Sequence, residues 1–206
     1  MTETPFVYLA SQSPRRAQLL EQMGVAHRLL VPNAQGDIAE DAEAIEAVRP
    51  GEAPAAYVRR VTLAKLDAAV ARLARRGLPP APVLCSDTTV ALGRTILGKP
   101  ADAAEAAATL RLLSGTTHRV LTAVALQHGM QRQVEVSVSQ VRFDPLGDAQ
   151  IDAYIASGEP FGKAGAYGVQ GRAAAFIPRI AGSYSGIMGL PVYETAALLR
   201  AAGVLP

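Results

Sequence analysis

The sequence predicts an α/β fold, and three observations predict it. Short apolar runs alternate with amphipathic stretches along the chain, the pattern of strands laid against helices. Half of the 206 residues are hydrophobic, enough for a sizeable core and no sign of disorder. The length suits one compact domain spanning residues 1–206, or two closely joined lobes, with no internal repeat and no low-complexity tail.

Taken in order, residues 6–10 read as a short buried strand. Residues 17–23 form an amphipathic helix ending at Gly24, with Ser13 its natural N-cap and Pro14 its first helical residue. Residues 28–31 are a short strand. The acidic stretch between Pro32 and Pro54 carries Asp37, Glu40, Asp41, Glu43, Glu46 and Glu52, with helix expected at its centre. A long helix from about residue 55 to 76 turns Val58, Val61, Leu66, Ala69, Val70 and Leu73 towards one side. Gly77 and the prolines at 79, 80 and 82 stop it. Residues 83–86 are a strand ending at Asp87, and 90–92 with 96–97 form a hairpin around Gly93-Arg94. Residues 103–113 form a helix closed by Ser114-Gly115.

Residues 118–127 and 133–143 are an antiparallel pair joined through His128-Gly129. The second alternates at Val134, Val136 and Val138, then changes phase to Val141 and Phe143, which predicts a bulge. A helix over 147–157 leads into a glycine-rich region, Gly158 to Gly189, whose one strand is placed at 173–180. A helix over 194–202 closes the chain.

Composition excludes several function classes. The formal charge of +2 lacks the broad basic surface of nonspecific nucleic-acid binding, while leaving room for a local positive pocket. The longest apolar stretches fall short of the ~20 residues of a membrane helix, and residues 1–5 do not open a signal peptide. The single cysteine, Cys85, lies in an apolar run and reads as a buried, inert thiol, which fits a reducing cytoplasm. The three histidines, at 27, 118 and 128, have no ligand-like spacing, so no zinc site is expected.

The residues that could carry chemistry begin with Ser11-Gln12-Ser13-Pro14-Arg15-Arg16. Cations at a helix N-terminus are disfavoured by roughly 0.3–1 kcal/mol each, so two adjacent arginines there invite an anion. Free backbone N–H groups, two hydroxyls and two guanidinium forks make a phosphate cradle. A solvated helix end with two salt-bridged arginines remains the alternative. Asp87 closes an apolar strand, where α/β sheets bind ligands, and could hold a divalent cation or orient a water; capping the next turn remains open. Lys99 is fixed between Gly98 and Pro100, and Lys65 flanks the apolar side of its helix. Each is open to a solvated or snorkelling reading.

From Gly158 to Gly171 the chain is too glycine-rich for ordinary core, and such density lets backbone approach a ligand. Lys163 adds a cation. Gln170 adds an amide able to pair with the N3–H and O4 edge of uracil or thymine, though a flipped amide would accept cytosine. Cations for phosphates, carboxylates for a metal and an amide for a base together point to a nucleoside triphosphate.

These residues resemble the Maf (septum formation inhibitor) family of nucleotide pyrophosphatases over nearly the whole chain. The resemblance runs through Leu9 to Arg16, Tyr57-Val58-x-Arg60, Ser86-Asp87-Thr88, Leu97 to Pro100 and Leu113 to Gly115 with His118. It continues through Ser157 to Pro160, Lys163 to Gly171, Gly182 to Gly186 and Met188 to Thr195. It implies an α/β fold of the Maf and inosine triphosphate pyrophosphatase kind: a mixed twisted sheet flanked by helices, two lobes and a central cleft. It also implies hydrolysis of a nucleoside triphosphate to the monophosphate and pyrophosphate with a divalent cation, Mg2+ or Mn2+.

Residue by residue, the resemblance makes Asp87 the catalytic acidic residue. Arg15, Thr88 and Gln170 fall on the substrate-selecting trio of the dTTP/UTP branch. Ser11, Arg16, Lys65 and Lys99 fall on the phosphate side. The metal falls to Asp87 with Glu40, chosen over Asp41 and Glu43. A sister branch acting on 7-methyl-GTP carries an aromatic residue and a glutamate where Arg15 and Gln170 stand here. Gly162 replaces a usual Asp, and Ser86 replaces a usual Ala, a change that reads as minor.

The expected chemistry is in-line attack of water on the α-phosphorus, with Asp87 as general base assisted by the metal. Two alternatives stand beside it: 7-methyl-GTP as substrate, and a non-catalytic nucleotide-binding regulator of septum formation. Family members are often homodimers, an analogy that extends to this chain. No nucleic-acid or membrane partner is expected.

Overall fold

The computed structural model describes residues 5–32 and 42–206. Its centre is a seven-stranded mixed sheet of order β2-β1-β3-β5-β6-β7, with β4 paired to β3 off that path. The strands are β1 (Phe6–Leu9), β2 (Ala26–Leu29), β3 (Val83–Leu92), β4 (Thr95–Leu97), β5 (Thr117–His128), β6 (Gln131–Arg142) and β7 (Arg179–Ala181). β1 runs parallel to β2 and β3; the other pairs are antiparallel. The helices are α1 (Pro14–Gln22), α2 (Ala42–Glu46), α3 (Pro54–Arg75), α4 (Ala103–Leu113), α5 (Asp148–Ala156), α6 (Tyr184–Met188) and α7 (Val192–Ala201).

Both faces of the sheet are covered. On one, α3 lays Val58, Val61, Leu66 and Ala69 against odd-numbered residues of β3 and β5, among them Cys85, Ala91, Leu121 and Ala125. On the other, Leu19 and Leu20 of α1 and Leu198 and Leu199 of α7 pack on Leu84, Val124 and Leu126. Further along that second face, α4 and α5 join Phe143, Tyr167 and Val169 in a separate hydrophobic mass around Val90 and Val120. The long strands β3 and β5 run through both masses. No described helix is long and apolar enough to cross a membrane.

Four expectations are corrected. β3 does not end at Asp87; it continues to Leu92, because β-branched Thr88, Thr89 and Val90 pair in unbroken register with β5. No bulge interrupts β6, whose register with β5 is continuous from Gln131 to Arg142. Its change of phase is a change of face: Val134 and Val136 meet the α3 side, whereas Ser137, Ser139 and Val141 are buried on the other. The strand expected at 173–180 is a 3-10 turn at Arg172–Phe176 followed by β7 at Arg179–Ala181. The second strand is Ala26–Leu29, two residues earlier than expected.

Candidate active site

A gap in the sheet makes the site. β1 pairs with β3 only at Val83 and Leu84, and β4 takes up pairing only from Val90. Between those points the edge of β3 facing away from β5 has no described strand beside it, and Asp87 is its middle residue. A cavity of about 620 Å3 opens there. Every described residue expected at the site lines it: Ser11, Arg15, Arg16, Lys65, Asp87, Thr88, Lys99 and Gln170.

Alternation along β3 divides the work. Asp87 points to the α3 side, where the Lys65 ammonium lies 2.6 Å from its Oδ1. The same Lys65 nitrogen donates to Glu46 Oε1 at 2.7 Å, and Lys99 donates to Glu46 Oε2 at 2.9 Å. Lys65 therefore does not snorkel into solvent; it bridges two carboxylates across the cavity wall. Burial pushes its pKa down, but Asp87 and Glu46 outweigh burial and hold it above the usual lysine value. Burial likewise raises Glu46, and the hydrogen bonds from Lys65 and Lys99 overcome it, so that carboxyl sits below the ordinary range.

The N-terminus of α1 supplies the opposite wall. Ser13 stands at the N-cap position with Pro14 following, as expected, but its side chain makes no capping bond. The hydroxyl of Ser11 does the local bonding instead. It accepts from the Ser13 N–H at 3.2 Å and from the Arg16 guanidinium at 2.9 Å. Arg16 Nε donates to the Gly189 carbonyl at 2.8 Å and Arg15 Nε to the Met188 carbonyl at 3.3 Å. Among the described residues neither arginine has an ion pair, so the salt-bridged alternative does not hold. Arg15 is instead anchored through one nitrogen and Arg16 through two, and the remaining N–H groups of both forks are left beside the cavity. Burial lowers the Arg16 pKa from its ordinary value.

Thr88 and Ser86 point to the other side. Thr122 donates its only hydroxyl proton to the Gly186 carbonyl at 2.6 Å, so Thr88 is the donor in their 3.0 Å contact. Thr88 thereby faces the cavity as an acceptor. Ser86, the departure that read as minor, has its hydroxyl 2.8 Å from the Ala123 carbonyl and 2.9 Å from that of Gly189. It ties β3 to the residue that also receives Arg16. Gly165 packs against β3: a Cβ there would fall 2.8 Å from Val90, and its φ is 69°. Only glycine fits that approach. Beyond it Gln170 is exposed, lines the cavity and makes no hydrogen bond to a described residue.

The metal expectation changes in part. Glu40 lies outside the described residues, as does Asp41. The described acid beside Asp87 is Glu46, the last residue of α2, and no motif sets it apart from its acidic neighbours in the sequence. The described residues hold no group of three or more metal-ligating side chains. Two carboxylates nonetheless share one ammonium, so the spot already stabilises a positive charge. An all-oxygen pair completed by phosphate oxygens suits Mg2+ or Mn2+. The residues present fit such a cation.

Comparison with known proteins gives a consistent result. The family described as Maf-like protein matches residues 6–202. A protein of a Polaromonas species called dTTP/UTP pyrophosphatase is 65% identical over 204 residues, covering 99% of each chain. One of the same name from Albidiferax ferrireducens is 66% identical over 198 residues, 96% of this chain and 97% of that one. Another, from Cupriavidus metallidurans, is 62% identical over 201 residues, 98% of each.

Proposed function

The chain belongs to the Maf-like protein family, and from that premise we infer that it hydrolyses dTTP and UTP to the monophosphate and pyrophosphate. It is a nucleoside triphosphate pyrophosphatase, a hydrolase of acid anhydrides. One observation carries the reading to the level of residues: a single cavity gathers the anchored arginines, the two lysines, Asp87 and the amide of Gln170.

In the proposed reaction a water attacks the α-phosphorus in line with the bridging oxygen to the β-phosphorus. The new P–O bond forms as that bridge breaks, and Asp87 takes the proton of the water. Pyrophosphate leaves with the bridging oxygen. Arg15, Arg16, Lys65 and Lys99 hold the triphosphate and stabilise the charge gathering on the leaving group, with Ser11 bonding Arg16 in place. Asp87 and Glu46 would hold a divalent cation, which would acidify water and neutralise phosphate charge there. Lys65 and Lys99 bond oxygens of those same two carboxylates.

Base selection rests on Gln170 with Arg15 and Thr88. The amide offers a donor and an acceptor to the N3–H and O4 edge of uracil or thymine, and Thr88, committed as an acceptor, reads a donor. The proposal places the enzyme in the cytoplasm as a housekeeper of the nucleotide pool, consistent with a fully buried, unpaired Cys85. A homodimer belongs to the same reading.

The test is pyrophosphate release with Mg2+ or Mn2+ from UTP, dTTP and 7-methyl-GTP. We expect release from UTP and dTTP, with kcat/KM for 7-methyl-GTP at least about tenfold lower. A preference for 7-methyl-GTP would move the chain to the sister branch. Nucleotide binding with no pyrophosphate from any of the three would make it a regulator.

A further inference from the structure

Gln170 makes no hydrogen bond to a described residue, so the backbone of its loop decides where its amide stands. That backbone is held from beneath at two points, each two residues from Gln170. On one side, the Gly168 N–H donates to the Tyr154 hydroxyl at 3.2 Å. The Tyr154 hydroxyl in turn donates to Glu159 Oε1 at 2.9 Å. On the other side, Glu159 Oε2 accepts from the Arg172 N–H at 2.9 Å. One carboxylate and one phenol thus span the loop from Gly168 to Arg172.

Packing shows how tightly the span is set. A Cβ on Gly171 would lie 2.2 Å from Glu159 Oε1, so the carboxylate is pressed against the loop's main chain. Lys163 donates to the main-chain carbonyl of Glu159, and its aliphatic carbons would lie 3.2 and 3.3 Å from a Cβ on Gly168. Tyr154 is 2% exposed, and its ring meets Phe176 edge-on at 5.4 Å. Neither Tyr154 nor Glu159 lines the cavity. An ionised carboxylate is an acceptor at every lone pair, whereas an amide would turn its NH2 towards one of these donors.

We propose that Glu159 and Tyr154 are positioning residues for base selection, holding the Gly168–Arg172 loop so that Gln170 meets the pyrimidine edge. The proposal rests on the functional reading above, in which Gln170 touches the base. Burial raises the Glu159 carboxyl, and the bonds from Arg172 and Tyr154 more than reverse it, in keeping with an ionised strut.

The experiment compares Glu159→Gln and Tyr154→Phe, each alone and with Gln170→Ala. kcat and KM are measured separately for UTP and 7-methyl-GTP by pyrophosphate release. Each single variant is expected to raise KM for UTP about tenfold with kcat held within about threefold, and to narrow the UTP preference. In the Gln170→Ala background the same changes should add less than about twofold, because the residue they act through is gone. Tyr154→Phe keeps the ring against Phe176, so the answer does not depend on Glu159→Gln folding. Single variants that retain the wild-type UTP preference, or losses that multiply with Gln170→Ala, overturn the role. A wild type that yields no pyrophosphate from UTP overturns the functional reading and this role with it. A selective wild type with equally selective variants overturns this role alone.

Discussion

Asp87, the proposed base, has the Lys65 ammonium 2.6 Å from its Oδ1. The Lys65 bond engages Oδ1 and leaves Oδ2 without a partner among the described residues, and Asp87 lines the cavity. Asp87→Asn keeps an oxygen for Lys65 and the shape of the side chain while removing the proton acceptor. We expect kcat to fall by roughly 10²–10⁴-fold with a small change in KM, as loss of general-base help does. Single-turnover pyrophosphate release alongside thermal unfolding checks this. Near-wild-type turnover by a folded Asp87→Asn protein would remove Asp87 from the chemistry. At this scale the sequence was most readable where residue type and spacing meet, as in Ser11 to Arg16 and in Gln170. It was least readable for Glu46. That acid is one of several in a motif-free stretch, and its importance comes from α2 and α3 bringing it to Lys65 and Lys99. The packing that places it, including the Tyr57 hydroxyl donating to the Glu46 carbonyl at 2.9 Å, is tertiary and leaves no local pattern.

Elements that serve only the fold obey local rules more closely than those that build the site. Helix α4 begins at Asp102, whose Oδ1 accepts the Glu105 N–H at 2.8 Å, while Glu105 Oε2 accepts the Ala101 N–H at 2.8 Å. Its buried residues Ala106, Leu110 and Leu113 face core, and none of its side chains lines the cavity. Asp102→Ala should therefore cost about 1 kcal/mol, a fall of roughly 2–4 °C in Tm, with the kinetics of pyrophosphate release unchanged. A shifted KM would show that α4 reaches the site after all. Helix α1 is the contrast: its N-cap side chain makes no bond, and its first turn presents two arginines rather than acids. Such local violations belong where a ligand completes the structure. The same logic explains what punctuation could and could not reveal. Gly24, Gly77 and Gly115 marked helix ends because a chain reversal needs a positive φ there. The polar run Ser86-Asp87-Thr88-Thr89 resembled the end of a strand. Only pairing with β5 keeps it extended, and that partner is more than thirty residues away.

The whole molecule stakes its stability on a sheet buried on both faces, and one titratable group sits deep within it. His118 of β5 is 1% exposed and packs edge-on against Phe143 and Tyr167, at 5.1 and 5.4 Å. Its Nε2 lies 2.8 Å from the Tyr167 hydroxyl, and its Nδ1 has no described partner. Burial pushes its pKa down to about 4, whereas an unfolded histidine titrates near ~6.5. Above that range both states are neutral and nothing changes with pH. Between the two values the unfolded chain binds a proton that the folded protein refuses. Stability then falls as pH falls, by about 1.4 kcal/mol per pH unit, until the folded histidine itself protonates. The carboxylate Glu46, lowered from its ordinary 4.5, adds its own loss only below that ordinary value, so the upper part of the window belongs to the histidine. Urea unfolding of the wild type and of His118→Gln, which stays neutral and keeps a donor for Tyr167, separates the two. From pH 6.5 to pH 5 the wild type should lose about 1.6 kcal/mol more than the variant. Parallel pH profiles would show that the buried ring is not what makes the fold acid-sensitive.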